Sequence, residues 1–290
     1  MRRLFFLILA LLAVVYCSGC AGTVDQQNDA AKKQSYVGRM YRGKKISFAA
    51  KPQRIISLYV YGDEVLLGLV DHKRIAGLSK WVHDEDLAMG AKEAKDVTKI
   101  AESNPEAILA LKPDLVLLPD STKPEQISSL EDVGIKVFVY PAASRLSNIP
   151  KTIKAIGSAV GETEQAEKLI AEMQKKISAV EAKVKKMQPE DRKKGLLFLR
   201  FGAIGGKGII FNDIMTAAGV EDCYEAARHT IADKPGTSRI LGKEEVVQAN
   251  PDYIIIGTWS QGGAYKAGHA QLEELYADPA LAKVTAVRKS

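Results

Sequence analysis

A helix–turn–strand pattern that occurs twice constrains the fold of this chain more than any other feature of its sequence. Residues 106–118 read Glu-Ala-Ile-Leu-Ala-Leu-Lys-Pro-Asp-Leu-Val-Leu-Leu, and residues 244–256 read Glu-Glu-Val-Val-Gln-Ala-Asn-Pro-Asp-Tyr-Ile-Ile-Ile. In each copy the same spacing separates the first Glu from Pro-Asp, and an unbroken apolar run follows. Such runs are typical of strands in parallel sheets, which are covered on both faces. The repeat therefore predicts two equivalent α/β units.

Strands and helices alternate around both copies with short connections. The predicted strands span residues 46–48, 54–59, 75–78, 114–118, 136–140, 195–200 and 253–257, and the predicted helices span residues 63–70, 104–111, 123–133, 212–218 and 243–249. This alternation predicts an α/β fold with doubly wound lobes. We place an N-terminal lobe at residues 46–144 and a C-terminal lobe at residues 191–290. Residues 284–290 resemble the approach to another strand, so the second lobe is expected to be truncated.

The segment between the two lobes, residues 145–190, is predicted to form connecting helices. Apolar residues at helical spacing predict one helix that reaches Val160, where Gly161 interrupts it. From Thr163 to Met187, apolar residues recur every three or four positions, which predicts an amphipathic helix of about 24 residues. This long helix is either a rigid connector between two lobes or a surface helix of a single domain.

The N-terminus has the pattern of a targeting segment. Arg2 and Arg3 precede an uncharged and almost wholly apolar stretch at residues 4–16. That stretch fits a secretory signal peptide and is short for a stable membrane anchor. Small residues then precede Cys20, as in a bacterial lipobox. A plain signal peptide or a short membrane anchor is the alternative interpretation.

This interpretation fixes where the mature protein works. We predict a lipoprotein signal peptide at residues 1–19, lipidation of Cys20, and a flexible tether at residues 20–45, of which residues 21–34 are small, polar and without periodicity. Acyl chains on Cys20 hold the protein at a membrane without a spanning helix. The protein is therefore expected to be extracytoplasmic, in the periplasm or on the outer face of the cell membrane.

Composition and motifs exclude several classes of function. The chain has 41 Lys and Arg residues against 35 Asp and Glu residues, and no block of five like charges, which disfavours binding to nucleic acid. Three cysteines exclude a disulfide scaffold, and Cys223 is expected to be a small core residue. Phe201 and Gly208 break the Walker A pattern, and the mature chain lacks common hydrolase motifs. We predict neither catalysis nor a cofactor.

Aromatic residues and one arginine follow predicted strands, where open α/β sheets bind ligands. Tyr59 and Tyr61 lie where the strand at 54–59 ends and a helix begins, Trp81 follows the strand at 75–78, and Trp259 follows the strand at 253–257. Arg200 ends another strand and supplies positive charge for an anionic ligand. Aromatic rings at such positions suit a large, flat or partly apolar ligand. These five residues are the predicted ligand site.

A metal site is the alternative to an aromatic cleft. His72, His83, His229 and His269 divide evenly between the two predicted lobes, and Asp84 or Asp233 is available as a carboxylate ligand. No pair has the i, i+4 spacing of a helical metal site. The sequence favours no dedicated protein-bound metal.

The motifs of the mature chain together resemble the periplasmic-binding family that serves uptake of iron-siderophores, haem and vitamin B12. The resemblance is carried by the lipobox and by Pro-Gln-Arg-Ile-Ile-Ser-Leu at residues 52–58, Asn-Pro-Glu at 104–106, Leu-Lys-Pro-Asp at 111–114, Gly-Ile-Lys-Val at 134–137 and Asn-Pro-Asp-Tyr-Ile-Ile at 250–255. It implies two doubly wound α/β lobes joined by one long rigid α-helix, the class III periplasmic-binding fold. It also implies that the ligand is captured between the lobes.

The resemblance implies partners as well. A monomeric protein of this family delivers its ligand to an ABC permease and its ATPase, and one surface Glu on each lobe docks on the permease. By position, Glu125 is the candidate in the N-terminal lobe, and Glu274 or its neighbour Glu273 is the candidate in the C-terminal lobe. The expected ligand is a metal chelate: an iron-siderophore, haem or a cobalamin-type corrinoid. A binding protein for a bare Zn or Mn ion, an extracytoplasmic α/β enzyme and a lipoprotein adaptor without a small ligand are the alternatives.

Overall fold

The computed structural model describes residues 36–39, 45–48, 50–100, 104–206, 208–224, 227, 240–258 and 263–288. Its strands are β1 (Tyr36–Arg39), β2 (Lys45–Phe48), β3 (Ile55–Ser57), β4 (Ile75–Ser79), β5 (Lys99–Ile100), β6 (Leu115–Pro119), β7 (Val137–Tyr140), β8 (Lys194–Leu199), β9 (Gly202–Ile204), β10 (Glu221–Asp222) and β11 (Tyr253–Gly257). Its α-helices are α1 (Val60–Leu69), α2 (Pro105–Ala110), α3 (Pro124–Asp132), α4 (Ile149–Val160), α5 (Thr163–Val184), α6 (Ile210–Ala217), α7 (Lys243–Ala249), α8 (Ala264–Ala277) and α9 (Thr285–Arg288).

The N-terminal lobe is built on a parallel sheet with the strand order β5-β4-β3-β6-β7. Side chains of β6 alternate between two cores, because successive residues of a strand point to opposite faces. Leu115 and Leu117 pack in the core beneath α1 and α4, whereas Val116 and Leu118 pack in the core beneath α2 and α3. Both faces of the sheet are covered by helices, so the predicted doubly wound arrangement is confirmed for this lobe.

The C-terminal lobe contains a smaller sheet. β8 pairs in parallel with β10 and β11, and β9 folds back antiparallel onto the end of β8. Leu196, Val246 and Leu275 belong to its core. Within the described residues, β11 lies at the edge of this sheet. Part of the segment that departs from the Walker A pattern forms β9, which was not among the predicted strands.

The two helix–turn–strand units have the same backbone turn. Lys112 and Asn250, which precede Pro-Asp in the two copies, adopt left-handed conformations with φ of 49° and 43°. They are the only described residues other than glycine with positive φ. Because such values are uncommon for residues with a Cβ atom, their recurrence at matching positions supports the predicted equivalence of the two units.

The predicted long helix is α5, and it contacts the N-terminal lobe through α1 and the C-terminal lobe through α6, while packing on its neighbour α4. Gly161, with φ of 76°, ends α4 and separates it from α5. A second link lies beside α5, where the Arg145 guanidinium donates two hydrogen bonds of 2.7 Å to the Asp213 carboxylate on α6. These hydrogen bonds hold the pKa of Asp213 below its usual value. The connector interpretation is therefore supported by contacts at both ends.

The two ends of the described chain differ from the sequence-based picture. β1 lies within the predicted tether and pairs antiparallel with β2. Residues Thr285–Arg288 form a helical turn instead of the approach to a strand. The reason is a contact with a distant part of the chain, since the Thr285 N–H donates to Asn250 Oδ1 at 2.8 Å and the Ala286 N–H donates to the Pro251 carbonyl at 3.0 Å. The predicted signal peptide and Cys20 lie outside the described residues, and none of the described helices has the length and hydropathy to cross a bilayer.

Candidate functional site

Three tyrosines form a continuous aromatic surface at the carboxyl edge of the N-terminal sheet. The Tyr59 and Tyr61 ring centroids are 6.2 Å apart, and the Tyr61 and Tyr140 centroids are 5.9 Å apart in an edge-to-face arrangement. Tyr59 and Tyr61 are half-buried, whereas Tyr140 is fully buried behind them. Burial raises the pKa of Tyr61, so its hydroxyl remains protonated at neutral pH. We call these three residues the tyrosine face.

The local sequence explains why the tyrosine face lies at this edge. Tyr59 is the N-cap of α1, two residues after the end of β3, and Tyr140 is the last residue of β7. Trp81 follows β4, the neighbour of β3 in the sheet, and the Lys80 ammonium lies 4.8 Å from its ring centroid. The structure therefore brings the predicted residues Tyr59, Tyr61 and Trp81 to adjacent strand ends of one parallel sheet.

A buried carboxyl group lies beneath the tyrosine face. Asp63, on α1, is fully buried, and its Oδ2 accepts hydrogen bonds from the hydroxyl and the backbone N–H of Ser79. Burial raises the pKa of Asp63 to about 7, and the hydroxyls of Ser57 and Ser79 oppose that shift only in part. Asp63 Oδ1 and the Tyr140 hydroxyl are both buried without a hydrogen-bond partner.

In the C-terminal lobe, Arg200 lines a cavity of about 860 Å³ at the carboxyl ends of β8 and β11. Phe201 lies beside it and is 65% exposed, and Gln271 on α8 is buried with its Nε2 unpartnered. Glu274, which was predicted to dock on a permease, lines the same cavity as Arg200. The cavity therefore combines a cation, a carboxylate, an amide donor and an exposed aromatic ring.

The remaining predicted residues are placed separately. Glu125 lies in the first turn of α3 and is exposed. Trp259 lies outside the described residues. Cys223 is buried as predicted, and burial raises the pKa of its thiol to about 12, so it is an unreactive core residue.

The histidines that the structure describes do not assemble a metal site. Both ring nitrogens of His83 lie 3.1 Å from backbone carbonyl oxygens, those of Ser79 and Val97, and His269 Nδ1 lies 3.2 Å from the Tyr265 carbonyl. Over the described ranges, no group of three His, Cys, Asp or Glu side chains is arranged to hold a metal ion. His229 lies outside these ranges.

Sequence reasoning missed four residues of these two regions. Tyr140 ends a predicted strand, so the rule that selected Tyr59 applies to it as well. Phe201 directly follows Arg200 and was treated only as a departure from Walker A. Asp63 and Gln271 gave no signal, because their burial depends on distant elements that pack over them.

Comparison with known proteins identifies the class to which these features belong. A sequence profile described as a periplasmic binding protein matches residues 55–290. An uncharacterized ABC transporter substrate-binding lipoprotein of Bacillus subtilis, YvrC, is 26% identical over 84% of this chain and 77% of its own length. The vitamin B12-binding protein of Pectobacterium atrosepticum is 27% identical over 72% of each chain. Both relatives are named as binding proteins, which confirms the prediction of a function without catalysis.

A solved structure supports the fold. The periplasmic haem-binding protein RhuT of Roseiflexus sp. RS-1, in its apo form, superposes with a TM-score of 0.67 at 20% identity, covering 82% of this chain and 86% of the solved chain. Similarity at this level confirms the predicted class III arrangement of α/β lobes. Because the family profile covers nearly the whole region that carries both sheets, this chain belongs to the periplasmic binding protein family.

Proposed function

We propose that this chain is the extracytoplasmic binding component of an ABC importer, and that it captures a metal chelate between its two lobes. The ligand is an iron-siderophore, haem or a cobalamin-type corrinoid. Tyr59, Tyr61 and Trp81 contact it from the N-terminal lobe, and Arg200 and Trp259 contact it from the C-terminal lobe. The protein then passes the intact chelate to the permease, so no bond of the ligand is broken.

One observation carries this proposal: each lobe presents ligand-binding chemistry at the carboxyl edge of its parallel strands. The tyrosine face lies at that edge of the first sheet, and the Arg200 cavity lies at that edge of the second. Ligands of open α/β sheets bind at this edge, outside the strand ends. Aromatic rings opposed by a cation suit a large ligand with apolar surface and negative charge.

The similarity to known proteins supports a metal chelate as the ligand. One relative is named for binding vitamin B12, and a protein of the same fold is named for binding haem. Both ligands are large metal chelates with flat macrocycles, which fit an aromatic face. Iron-siderophores are the third class, and the motifs of the sequence imply them through the family resemblance.

Delivery to a membrane requires an anchor and a docking surface. We assign the anchor to Cys20, lipidated after removal of residues 1–19. We assign docking to Glu125 and Glu274, which are exposed carboxylates on opposite lobes. Because Glu274 also lines the Arg200 cavity, docking at this residue would act directly on the ligand-bearing end of the C-terminal lobe.

The ligand class is tested by purifying the protein from its native host and recording its absorbance and mass spectra. A Soret band identifies haem, a corrin spectrum identifies a cobalamin, and the mass of a bound catecholate or hydroxamate identifies a siderophore. A protein that carries none of these, and that binds neither haemin, cyanocobalamin nor ferrioxamine in titrations, contradicts the proposal.

The residues are tested with variants matched by their position on the strands. Tyr61→Ala and Arg200→Ala should each weaken binding of the identified ligand by at least about tenfold. Tyr253→Ala and Arg192→Ala change the same residue types at the amino ends of β11 and β8, and should leave the affinity within about twofold. Equal losses for the two pairs would show that the carboxyl edges are not the binding surface.

A further inference from the structure

Asp63 occupies a position that an acidic residue rarely holds. It lies on the buried side of α1 with Leu66 and Leu69, facing the sheet. Among the described residues, no Lys, Arg or His forms an ion pair with it. An ionised carboxylate is costly to bury without such a partner, and the neutral acid is the form that burial favours.

The space next to Asp63 is shared with Tyr140 across the top of the sheet. Tyr140 reaches this space because residue 62 is glycine: a Cβ atom there would collide with the Tyr140 hydroxyl and lie 2.9 Å from Ser57 Oγ. The Tyr140 hydroxyl and Asp63 Oδ1 are both buried and unpartnered. Two polar atoms without partners in one small region can satisfy each other, directly or through one water.

The same hydroxyl lies directly behind the proposed ligand surface. The Tyr140 ring packs edge-on against Tyr61, and Tyr61 in turn packs against Tyr59. A movement of the Tyr140 hydroxyl towards Asp63 would therefore displace the ring that supports Tyr61.

We propose that Asp63 is a positioning residue for the tyrosine face: its neutral carboxyl group preserves the packing of Tyr140 against Tyr61, and its ionisation disturbs that packing and weakens ligand binding. The inference rests on the proposed function, because it assumes that the tyrosine face contacts the ligand. It predicts that the affinity for the ligand depends on whether the Asp63 carboxyl group is protonated.

The groups around Asp63 explain why ionisation has this effect. Glu64 of α1 and Tyr140 of β7 act electrostatically on Asp63, and neither of them carries a positive charge. From β4 it meets Ser79, whose carbonyl oxygen contacts the His83 ring. The charged form therefore gains no cation, and beyond the Ser79 hydroxyl that already donates to it, it draws on the hydroxyls of Ser57 and Tyr140. The folded-state pKa of about 7 places this change near neutral pH.

A measurement without ligand tests the first half of the inference. Near-ultraviolet circular dichroism reports tyrosine packing and is recorded from about pH 5.5 to about pH 8.5, around the pH at which the group titrates. The wild-type protein should show a transition near pH 7, and Asp63→Asn, which is neutral throughout, should show none. Asp132→Asn, at the exposed end of α3, is the matched control and should keep the transition. A wild-type signal that is flat, or a transition that persists in Asp63→Asn, overturns the proposal.

Ligand titrations test the second half. Haemin, cyanocobalamin and ferrioxamine are titrated in the same buffers, and the probe that binds at pH 6 should lose about tenfold in affinity by pH 8 in the wild-type protein. Asp63→Asn should retain the higher affinity at both values. Tyr140→Phe keeps the ring but removes the hydroxyl, and should also make the affinity independent of pH. A bound probe whose affinity follows pH equally in all three proteins overturns the proposal.

The two arms separate this inference from the proposed function. If no probe binds at any pH, the proposed function fails, and the circular dichroism experiment still decides whether Asp63 controls the tyrosine packing. If the dichroism transition depends on Asp63 while the affinity does not change with pH, the positioning role in ligand binding is wrong even though a chelate binds.

Discussion

The two helix–turn–strand units share a sequence pattern, but their strands are buried to different extents. All five residues of β6 are buried. In the equivalent strand β11, Tyr253 is 56% exposed and Ile255 is 40% exposed. β6 has neighbours β3 and β7 on its two sides, whereas β11 pairs only with β8 within the described residues.

The connections into the two strands are nevertheless built in the same way. Asp114 accepts hydrogen bonds from the backbone of Gln53 and Arg54, just before β3, and Asp252 accepts one from the backbone of Lys194, at the start of β8. Each Asp therefore joins the beginnings of two neighbouring parallel strands. The backbone N–H groups of the same two Asp residues donate back to Arg54 and Lys194.

The difference in burial between β6 and β11 shows which properties a repeated local pattern determines and which depend on the elements packed around it. The turn, the left-handed residue and the Asp contact are local, and they are the same in both lobes. Burial depends on how many helices and strands cover the unit, and of the two equivalent strands only β6 has buried residues in two core clusters, one on each face. Matched substitutions in the two units therefore separate local from surrounding contributions to stability.

The largest effect is expected from truncating the equivalent strand residues Leu117 and Ile255. Leu117→Ala should reduce the free energy of unfolding by about 3 kcal/mol, because it leaves a cavity in a fully buried core. Ile255→Ala should reduce it by about 1 kcal/mol, because that side chain is already partly hydrated. Urea denaturation followed by far-ultraviolet circular dichroism measures both. Equal losses would mean that β11 is as deeply covered in solution as β6.

A smaller effect is expected from the two Asp residues. Asp114→Ala should cost about 2 kcal/mol, because two backbone N–H groups lose a charged acceptor, and Asp252→Ala should cost about 1 kcal/mol, because one does. The same denaturation experiment applies. Asp114→Asn, which keeps one acceptor oxygen, should fall between the wild-type protein and Asp114→Ala. A loss in Asp252→Ala as large as that in Asp114→Ala would show that the number of hydrogen bonds does not set the effect.

The sequence allowed most of the element types to be predicted, because they depend on local patterns. α7 and β11 were predicted with the observed bounds, and α5 was predicted within a few residues. The start of α1 was predicted at residue 63 instead of Val60, because Tyr59 makes no side-chain capping hydrogen bond that would mark the boundary. The end of the described chain was wrong for a nonlocal reason, since Asn250 holds Thr285 in a helical turn.

Residues of the candidate site could be predicted only where they lie at the end of a strand that the sequence located. Tyr59, Tyr61 and Trp81 follow strands that the sequence located, and the parallel sheet brings them to one edge. Asp63 lies in the first turn of α1, where an acidic residue ordinarily complements the helix dipole and is exposed. Its burial results from Ser79 and Tyr140, which arrive from other parts of the chain. The sequence around Asp63 contains no pattern that predicts its contact with Ser79 and Tyr140.

The smallest effect on stability is expected from substituting the two residues in left-handed conformations, Lys112 and Asn250. Lys112→Gly should stabilise the protein by about 0.5 kcal/mol, because glycine adopts a φ of 49° without the strain that a Cβ atom imposes. Asn250→Gly should give no gain, because Asn tolerates this conformation and its Oδ1 accepts the Thr285 N–H. Thermal unfolding of the two variants measures the difference. Higher stability in both variants would show that backbone strain is the same in the two turns and that the Asn250 hydrogen bond contributes nothing to stability. The two copies would then differ only in the elements that cover their strands.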